Sequence, residues 1–294
     1  MALPIIFICM KVNYNKIITI CIFFLSSFSV IPQERIDNIK FRANYLFLYK
    51  TDLEQEEFAK TDLMFLDIGE SVTKFYSRYE QIRDSVSSSG IKEGLFPHEI
   101  VENMRNFKKG VKTVVYNFMS NNKFHTTEGL VDYYHYDEER MLPTWEIVQD
   151  KKEIAGYICQ KASTNYLGRE WIVYFTPEIP INQGPWKLWG LPGLIVEARD
   201  KDNLFSFELD GFEVVKKEVP ILYKNADSTG KLYTAISKKK FQELEKLYYK
   251  DFLEYLKVFV MDGKGSLHQT KEQKQQYQKH KRKGGIPYIP LEPY

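Results

Sequence analysis

The chain has 294 residues, with 41 basic and 39 acidic side chains and a formal charge of +2. Fifteen per cent of it is aromatic, including 20 tyrosines and 20 phenylalanines, and there are three cysteines. So even a charge excludes a nucleic-acid binder that relies on a net basic surface, and three thiols exclude a disulfide-dense scaffold.

The first expected element is an export leader. Residues 17–30 (IITICIFFLSSFSV) carry no charge, Lys11 and Lys16 precede them, and no acid occurs before Glu34. A basic region, a short apolar run and a small-x-small end make a secretory signal peptide. Ser27 and Ser29 suit the small positions, so cleavage is expected after Ser29. An uncleaved anchor would want roughly 20 apolar residues. The stretch MALPIIFIC is foreign to such a leader, which makes Met10 the expected initiator, and bulky Ile20 before Cys21 argues against lipid attachment. Loss of two lysines with residues 1–29 leaves 39 basic and 39 acidic side chains. Cys159 is then the one remaining thiol, so the core alone must hold a chain of about 265 residues, which is long enough to build one.

Aromatic and β-branched content favours strands. Residues 45–50 (YLFLYK), 63–68, 71–77, 111–119, 123–128 and 130–136 read as strands, with a turn-like charged stretch at 52–60. Residues 78–88 read as a short helix stopped by the SSSG at 87–90. A clearer run of strands follows at 153–164, 169–175, 194–199 and 204–215. Phe205, Phe207 and Leu209 alternate with Ser206 and Glu208, the period of a half-buried strand, and Asp200–Asn203 reads as a hairpin loop. Ser237 is an expected N-cap for one helix, along which Phe241, Leu244, Tyr248, Phe252, Tyr255 and Phe259 recur at helical spacing to about residue 259. Such a stripe ordinarily faces a core. Residues 264–283 hold seven basic residues and one acidic one, a solvated surface stretch or a contact for anionic headgroups. Residues 30–263 are expected to form a single β-rich domain, and residues 264–294 a basic tail ending in an apolar, strand-like segment.

The most distinctive segment is 178–198, EIPINQGPWKLWGLPGLIVEA. Gly184-Pro185 is one turn. In a second, Pro192 presets φ and Gly193 is expected to supply a positive φ, the type II requirement. Trp186 and Trp189 flank a loop whose glycines allow close approach, and Lys187 can rest on either indole face. Together with Trp171 these tryptophans suggest a stacking platform for a flat ligand, or a core cluster that anchors the turn.

Gly190, Leu191, Pro192, Gly193, Leu194 and Ile195 spell GLPGLI, and in these residues the chain resembles the GLPGLI family of exported envelope proteins. Trp145, IAGYICQKA at 154–162, Gly168-Arg169-Glu170, Tyr174-Phe175-Thr176 and Glu178-Ile179-Pro180 follow that pattern in order and spacing, with weaker echoes at Tyr45 and at 286–292. Trp171 and Ile172 are bulkier than the pattern expects. The resemblance implies a periplasmic or outer-membrane-associated protein of Gram-negative bacteria, often found near TonB-dependent receptors. It implies a fold that is α+β and mainly antiparallel β, with a curved sheet or half-barrel and one or two packing helices. It supplies no reaction.

No catalytic motif stands out. The five histidines form no HExxH and no zinc spacing with cysteine. His125 with His135, Asp132 and Asp137 is the best candidate cluster for a metal or a hydrolase. Cys159 has no nearby histidine and reads as a buried strand cysteine. Ser163 and Ser206 lack a His partner. Neither Glu138-Glu139 nor Asp200 with Asp202 suggests two carboxylates facing across a cleft. The expectation is a non-enzymatic, exported accessory or binding protein that needs no cofactor and no nucleic acid. Its expected partner is an outer-membrane receptor or an apolar or lipid ligand, and the mature chain is not expected to span the membrane. The alternative is an envelope hydrolase or metal-binding protein around His125 and His135.

Overall fold

The computed structural model describes residues 34–260, 275, 278–279 and 285–294. The expected leader, its cleavage site and almost all of the basic stretch at 264–283 lie outside the described residues.

Strands β1 (Glu34–Asn38), β2 (Phe41–Tyr49), β3 (Lys60–Ile68) and β4 (Val72–Ser77) come first. Helices α1 (Arg78–Lys92) and α2 (Pro97–Arg105) lead into β5 (Val114–Phe118), β6 (Lys123–Gly129) and β7 (Tyr133–Glu139). Next are β8 (Glu146–Ile154), β9 (Tyr157–Tyr166), β10 (Arg169–Thr176), β11 (Leu194–Asp200) and β12 (Phe205–Val214). Short strands β13 (Pro220–Tyr223) and β14 (Thr234–Ala235) precede α3 (Lys238–Lys250), α4 (Phe252–Tyr255) and a π-helical turn, Leu256–Val260.

Among the described residues, twelve strands form one open sheet in the order β14-β7-β6-β5-β4-β3-β2-β12-β11-β10-β9-β8. Every pairing is antiparallel except β14 with β7. The fold is therefore α+β and mainly antiparallel, and the sheet does not close into a barrel. Strands β1 and β13 pair separately and lie against the face that carries Lys74 and Tyr116, which both bond the Leu222 carbonyl.

Alternation decides which face is covered. Ala43, Tyr45 and Phe47 of β2 sit opposite Leu66, Met64 and Asp62 of β3, and Phe207 of β12 sits opposite Phe47. All are buried. Phe47 stacks on Phe207 at 4.4 Å, and Trp171, fully buried, packs on the same ring at 6.2 Å. Each of the buried Phe, Leu and Met side chains contributes about 1.5–3 kcal/mol on burial. The 177–193 loop supplies Ile179, Trp186, Leu188 and Leu191 to this core, and Ile289 and Leu291 pack against it from the C-terminal segment. A second cluster joins Tyr134 and Tyr136 of β7 to Phe241 and Leu244 of α3 and Tyr255 of α4.

Several elements differ from expectation. The 87–90 SSSG does not stop α1, which runs to Lys92. Gly90 is instead the point where α1 meets α2, since a Cβ there would lie 2.9 Å from the Ile100 side chain. The segment read as one strand from 153 is two, because Ala155 and Gly156 both adopt positive φ and turn β8 into β9. Ser237 caps α3 through the Lys240 amide as expected. The long helix nevertheless breaks at Asp251, which re-caps the chain at the Glu254 amide. The Asp200–Asn203 hairpin loop forms, with Asp200 accepting from the Leu204 and Phe205 amides at 2.7 Å.

Candidate functional site

The covered face of the sheet holds a cluster of charged groups built from four separate parts of the chain. On β6 and β7 the residues of that face are Phe124, Thr126 and Glu128, paired with Glu138, Tyr136 and Tyr134. From the 177–193 loop comes Lys187, 1% exposed. Helix α3 brings Lys238 and Glu245, and the C-terminal segment brings Glu292, Tyr288 and Tyr294. The ammonium of Lys187 contacts both Glu138 and Glu292. Lys238 contacts Glu292 and donates to Glu138 at 2.7 Å. Two lysines and two carboxylates thus alternate in a closed ring, with Thr126 donating to Glu138 at 3.2 Å. Ammonium groups taken this far from water are retained only when paired and hydrogen-bonded.

Two more carboxyls flank the ring. Glu128 accepts from the Thr113 hydroxyl at 2.7 Å; burial, assisted by Glu245, pushes its pKa up to about 8. Burial likewise raises Glu245, although the Tyr288 and Tyr294 hydroxyls donate to it at 2.7 and 2.9 Å. Glu138 moves the other way: burial opposes its charge, but the ammonium groups of Lys187 and Lys238 outweigh burial and hold it below the usual carboxylate range. At neutral pH a protonated Glu128 therefore stands beside an ionised Glu138, the latter where two lysines lie in contact. Glu138 also lines an open depression of about 350 Å³, together with Asn121, Asn122, Lys123, Asp137 and Glu139.

Backbone geometry presents Lys187. Trp186 adopts φ 58, a region that bulky residues rarely occupy. Gly190 has φ 95 and bonds back to the Asn182 carbonyl at 3.0 Å. The expectation of positive φ at Gly193 is corrected: the left-handed residues of this loop are Trp186 and Gly190. Gly193 is required for a different reason, since a Cβ there would lie 2.1 Å from the Thr176 carbonyl oxygen. Leu194 and Ile195 then bond the Ile179 and Gln183 carbonyls at 3.0 Å, which staples the loop to the start of β11.

The tryptophans read from the sequence separate into two places. Trp171 and Trp186 lie 5.8 Å apart inside the core, and the Lys187 ammonium stands 5.6 Å from the Trp186 ring. Trp189 is half-buried; the Arg140 guanidinium covers its face at 3.3 Å, and its indole donates to the Met141 carbonyl. Leu191, Leu194 and Ile195 are buried, and Pro192 is exposed.

The histidine cluster forms in part, on the opposite face of β6 and β7. His125 Nδ1 bonds Asp137 at 2.6 Å and Nε2 bonds the Tyr223 hydroxyl at 3.0 Å, with the His135 ring 5.1 Å away. Burial, with His125 nearby, lowers the pKa of His135. Asp132 is not part of it and pairs with Lys231. Among the described residues no group of three His, Cys, Asp or Glu side chains is placed to hold a metal ion. Cys159 is fully buried, and burial pushes its thiol up to about 11. No described helix is long and apolar enough to cross a membrane.

Sequence reasoning assigned no role to Arg169, Glu128, Lys238, Glu245 or Glu292. Arg169 is 8% exposed. It pairs with buried Asp200 at 3.2 Å and donates to the carbonyls of Pro290 and Leu291 at 2.6 and 2.7 Å.

A family model described as "Protein of unknown function (Porph_ging)" matches residues 167–197. That span runs from the β9–β10 turn through the Lys187 loop into β11. No curated protein matches the chain. It is similar to two solved structures of PNGF-II, in P21 and C2 space groups, at 12% and 13% identity with TM-scores of 0.45 and 0.44. The match covers 70% and 69% of this chain and 32% of either PNGF-II chain, so this chain spans about a third of their length.

Proposed function

We propose that this chain is a GLPGLI-type exported protein of the Gram-negative envelope that works by binding, and that its ligand site is the covered face around Lys187. The observation that carries this is the Lys187 ammonium, 1% exposed and set between two carboxylates. Holding a charge there costs stability in comparison with an apolar side chain, and specific recognition of a polar ligand is a reason to keep it. An outer-membrane receptor of the TonB-dependent kind, or an apolar or lipid molecule carrying a polar head, is the partner class that accords with the GLPGLI resemblance. Native mass spectrometry of the protein isolated from the envelope tests the reading. A retained molecule or partner, lost in Lys187→Met, supports it; identical spectra for the two proteins would sink it.

One observation favours a second reading. His125 is held by a carboxylate on one ring nitrogen and faces a hydroxyl on the other, the geometry in which an oriented imidazole moves a proton. An envelope hydrolase using His125 would lose turnover in His125→Gln while keeping whatever the Lys187 site binds.

A further inference from the structure

We propose that residues 285–294 are an intramolecular ligand, and that the groove they occupy takes an extended, proline-rich, acidic segment of a partner protein. This rests on the binding reading above and names the ligand class. The segment joins no strand ladder of the described residues, so its place is set by side chains of the groove. Pro287, Pro290 and Pro293 fall three apart, the repeat of a polyproline II helix, which has no internal hydrogen bonds and leaves its carbonyls for a receptor. Pro287 and Pro293 are exposed and the chain bends at Leu291 and Glu292; apart from the exposed Tyr294 ring, the side chains flanking the prolines are half-buried against the protein. In one row of the three-residue repeat, Tyr288 stacks on Tyr249 at 3.7 Å and 5°. Leu291, half-buried, packs against the core, and the Tyr294 ring takes the Lys246 ammonium at 4.2 Å. In the other, the Ile286 amide bonds the Tyr249 carbonyl at 2.7 Å, Ile289 packs on the core, and Glu292 meets Lys187 and Lys238.

Each recognition element has a distinct job. Arg169 reads two successive backbone carbonyls, Glu245 collects two tyrosine hydroxyls, and the two lysines read one carboxylate. The side chains that hold the segment come from the β9–β10 turn, the 177–193 loop and α3, and they would meet any extended segment of the same chemistry in the same way. A tethered copy competes through its high effective concentration, so a partner must offer the same contacts or more.

The test uses the full chain with a protease site inserted after residue 273. The probe is a fluorescent synthetic peptide of residues 285–294. After cleavage, the chain is expected to keep its circular dichroism, to release its own segment on dilution and to take up the probe saturably. A probe carrying Glu292→Gln should bind about tenfold more weakly, as expected for loss of a charge-assisted contact. The uncut chain should take up the probe much more weakly than the cut one. Unfolding on cleavage, retention of the segment until the chain melts, or equal binding of the two probes would each overturn the proposal. So would concentration-dependent exchange of segments between copies into a dimer, which would make a second copy the occupant. The uncut Tyr288→Ala chain provides a further check and should bind the probe more tightly than wild type does. If the probe fails while native mass spectrometry still finds a Lys187-dependent ligand, the binding reading stands and the peptide assignment falls.

Discussion

Lys187 and Glu292 are 105 positions apart in the chain, yet their charged ends are in direct contact beneath the C-terminal segment. That contact ties the most distinctive loop of the sequence to its last few residues, and Arg169 makes a parallel tie at the Pro290 and Leu291 carbonyls.

Replacing Lys187 with methionine leaves Glu138 and Glu292 sharing Lys238 alone. Breaking a buried pair from one side is expected to cost about 3 kcal/mol. Lys238→Met should cost clearly less, because its side chain is 28% exposed against 1% for Lys187 and water can replace it. Urea unfolding of the two variants checks the order, and equal midpoints would contradict the ring as described.

The pKa of Glu128 sets a pH dependence. Its folded value, raised to about 8, exceeds the ordinary value of about 4.3 for an unfolded glutamate. The folded state therefore binds the extra proton between these values, and stability falls as pH rises through that window. The contribution is complete below the unfolded pKa and is lost as pH passes 8. Its slope is at most about 1.4 kcal/mol per pH unit. Buried Asp62, raised to about 6, adds the same sign at lower pH. Glu128→Gln should therefore flatten the melting curve against pH between about 4.3 and 8.

Two glycines separate strain from collision. Gly156 has φ 82 and open space around its missing Cβ, so Gly156→Ala should cost about 1 kcal/mol. Gly193 lies outside the left-handed region but has backbone 2.1 Å from where a Cβ would sit. Gly193→Ala must push β11 away from the Thr176 carbonyl, with an expected loss of about 3 kcal/mol or failure to fold. Thermal melting of the pair decides, and similar values would refute the close approach.

His125→Gln removes two hydrogen bonds of the outer face and should cost about 1–2 kcal/mol. It should leave any molecule retained at Lys187 unchanged by native mass spectrometry. Loss of that molecule would couple the two faces and contradict their separation.

How much of this was legible in the sequence depends on range. Alternation at Phe205, Phe207 and Leu209 marked β12, Asp200 marked a hairpin, and Ser237 marked a helix start, because each acts within a few residues. The turn at Ala155-Gly156 was hidden inside an apolar stretch, where the lone Gly156 is its only mark and Ala155 beside it gives no hint of its positive φ. The SSSG misled because Gly90 answers to Ile100 of the next helix, a tertiary contact. Lys187 was noticed as a lone charge among tryptophans. Its partners were not, because Glu138, Lys238 and Glu292 come from three distant segments and share no pattern. Arg169 falls inside the stretch matched by the family model and Glu292 outside it, and what either touches emerges only when the C-terminal segment lies over the sheet.

Hydrogen exchange of the uncut, wild-type chain tests most directly whether the Lys187 site is covered by a segment that can leave it. The Ile286 amide, bonded to the Tyr249 carbonyl at 2.7 Å, should exchange through local opening, well before the amides of β2 and β12 at the centre of the sheet. Exchange of the Ile286 amide at the same, global rate as those of β2 and β12 would show that residues 285–294 are an inseparable part of the core, and would contradict the account.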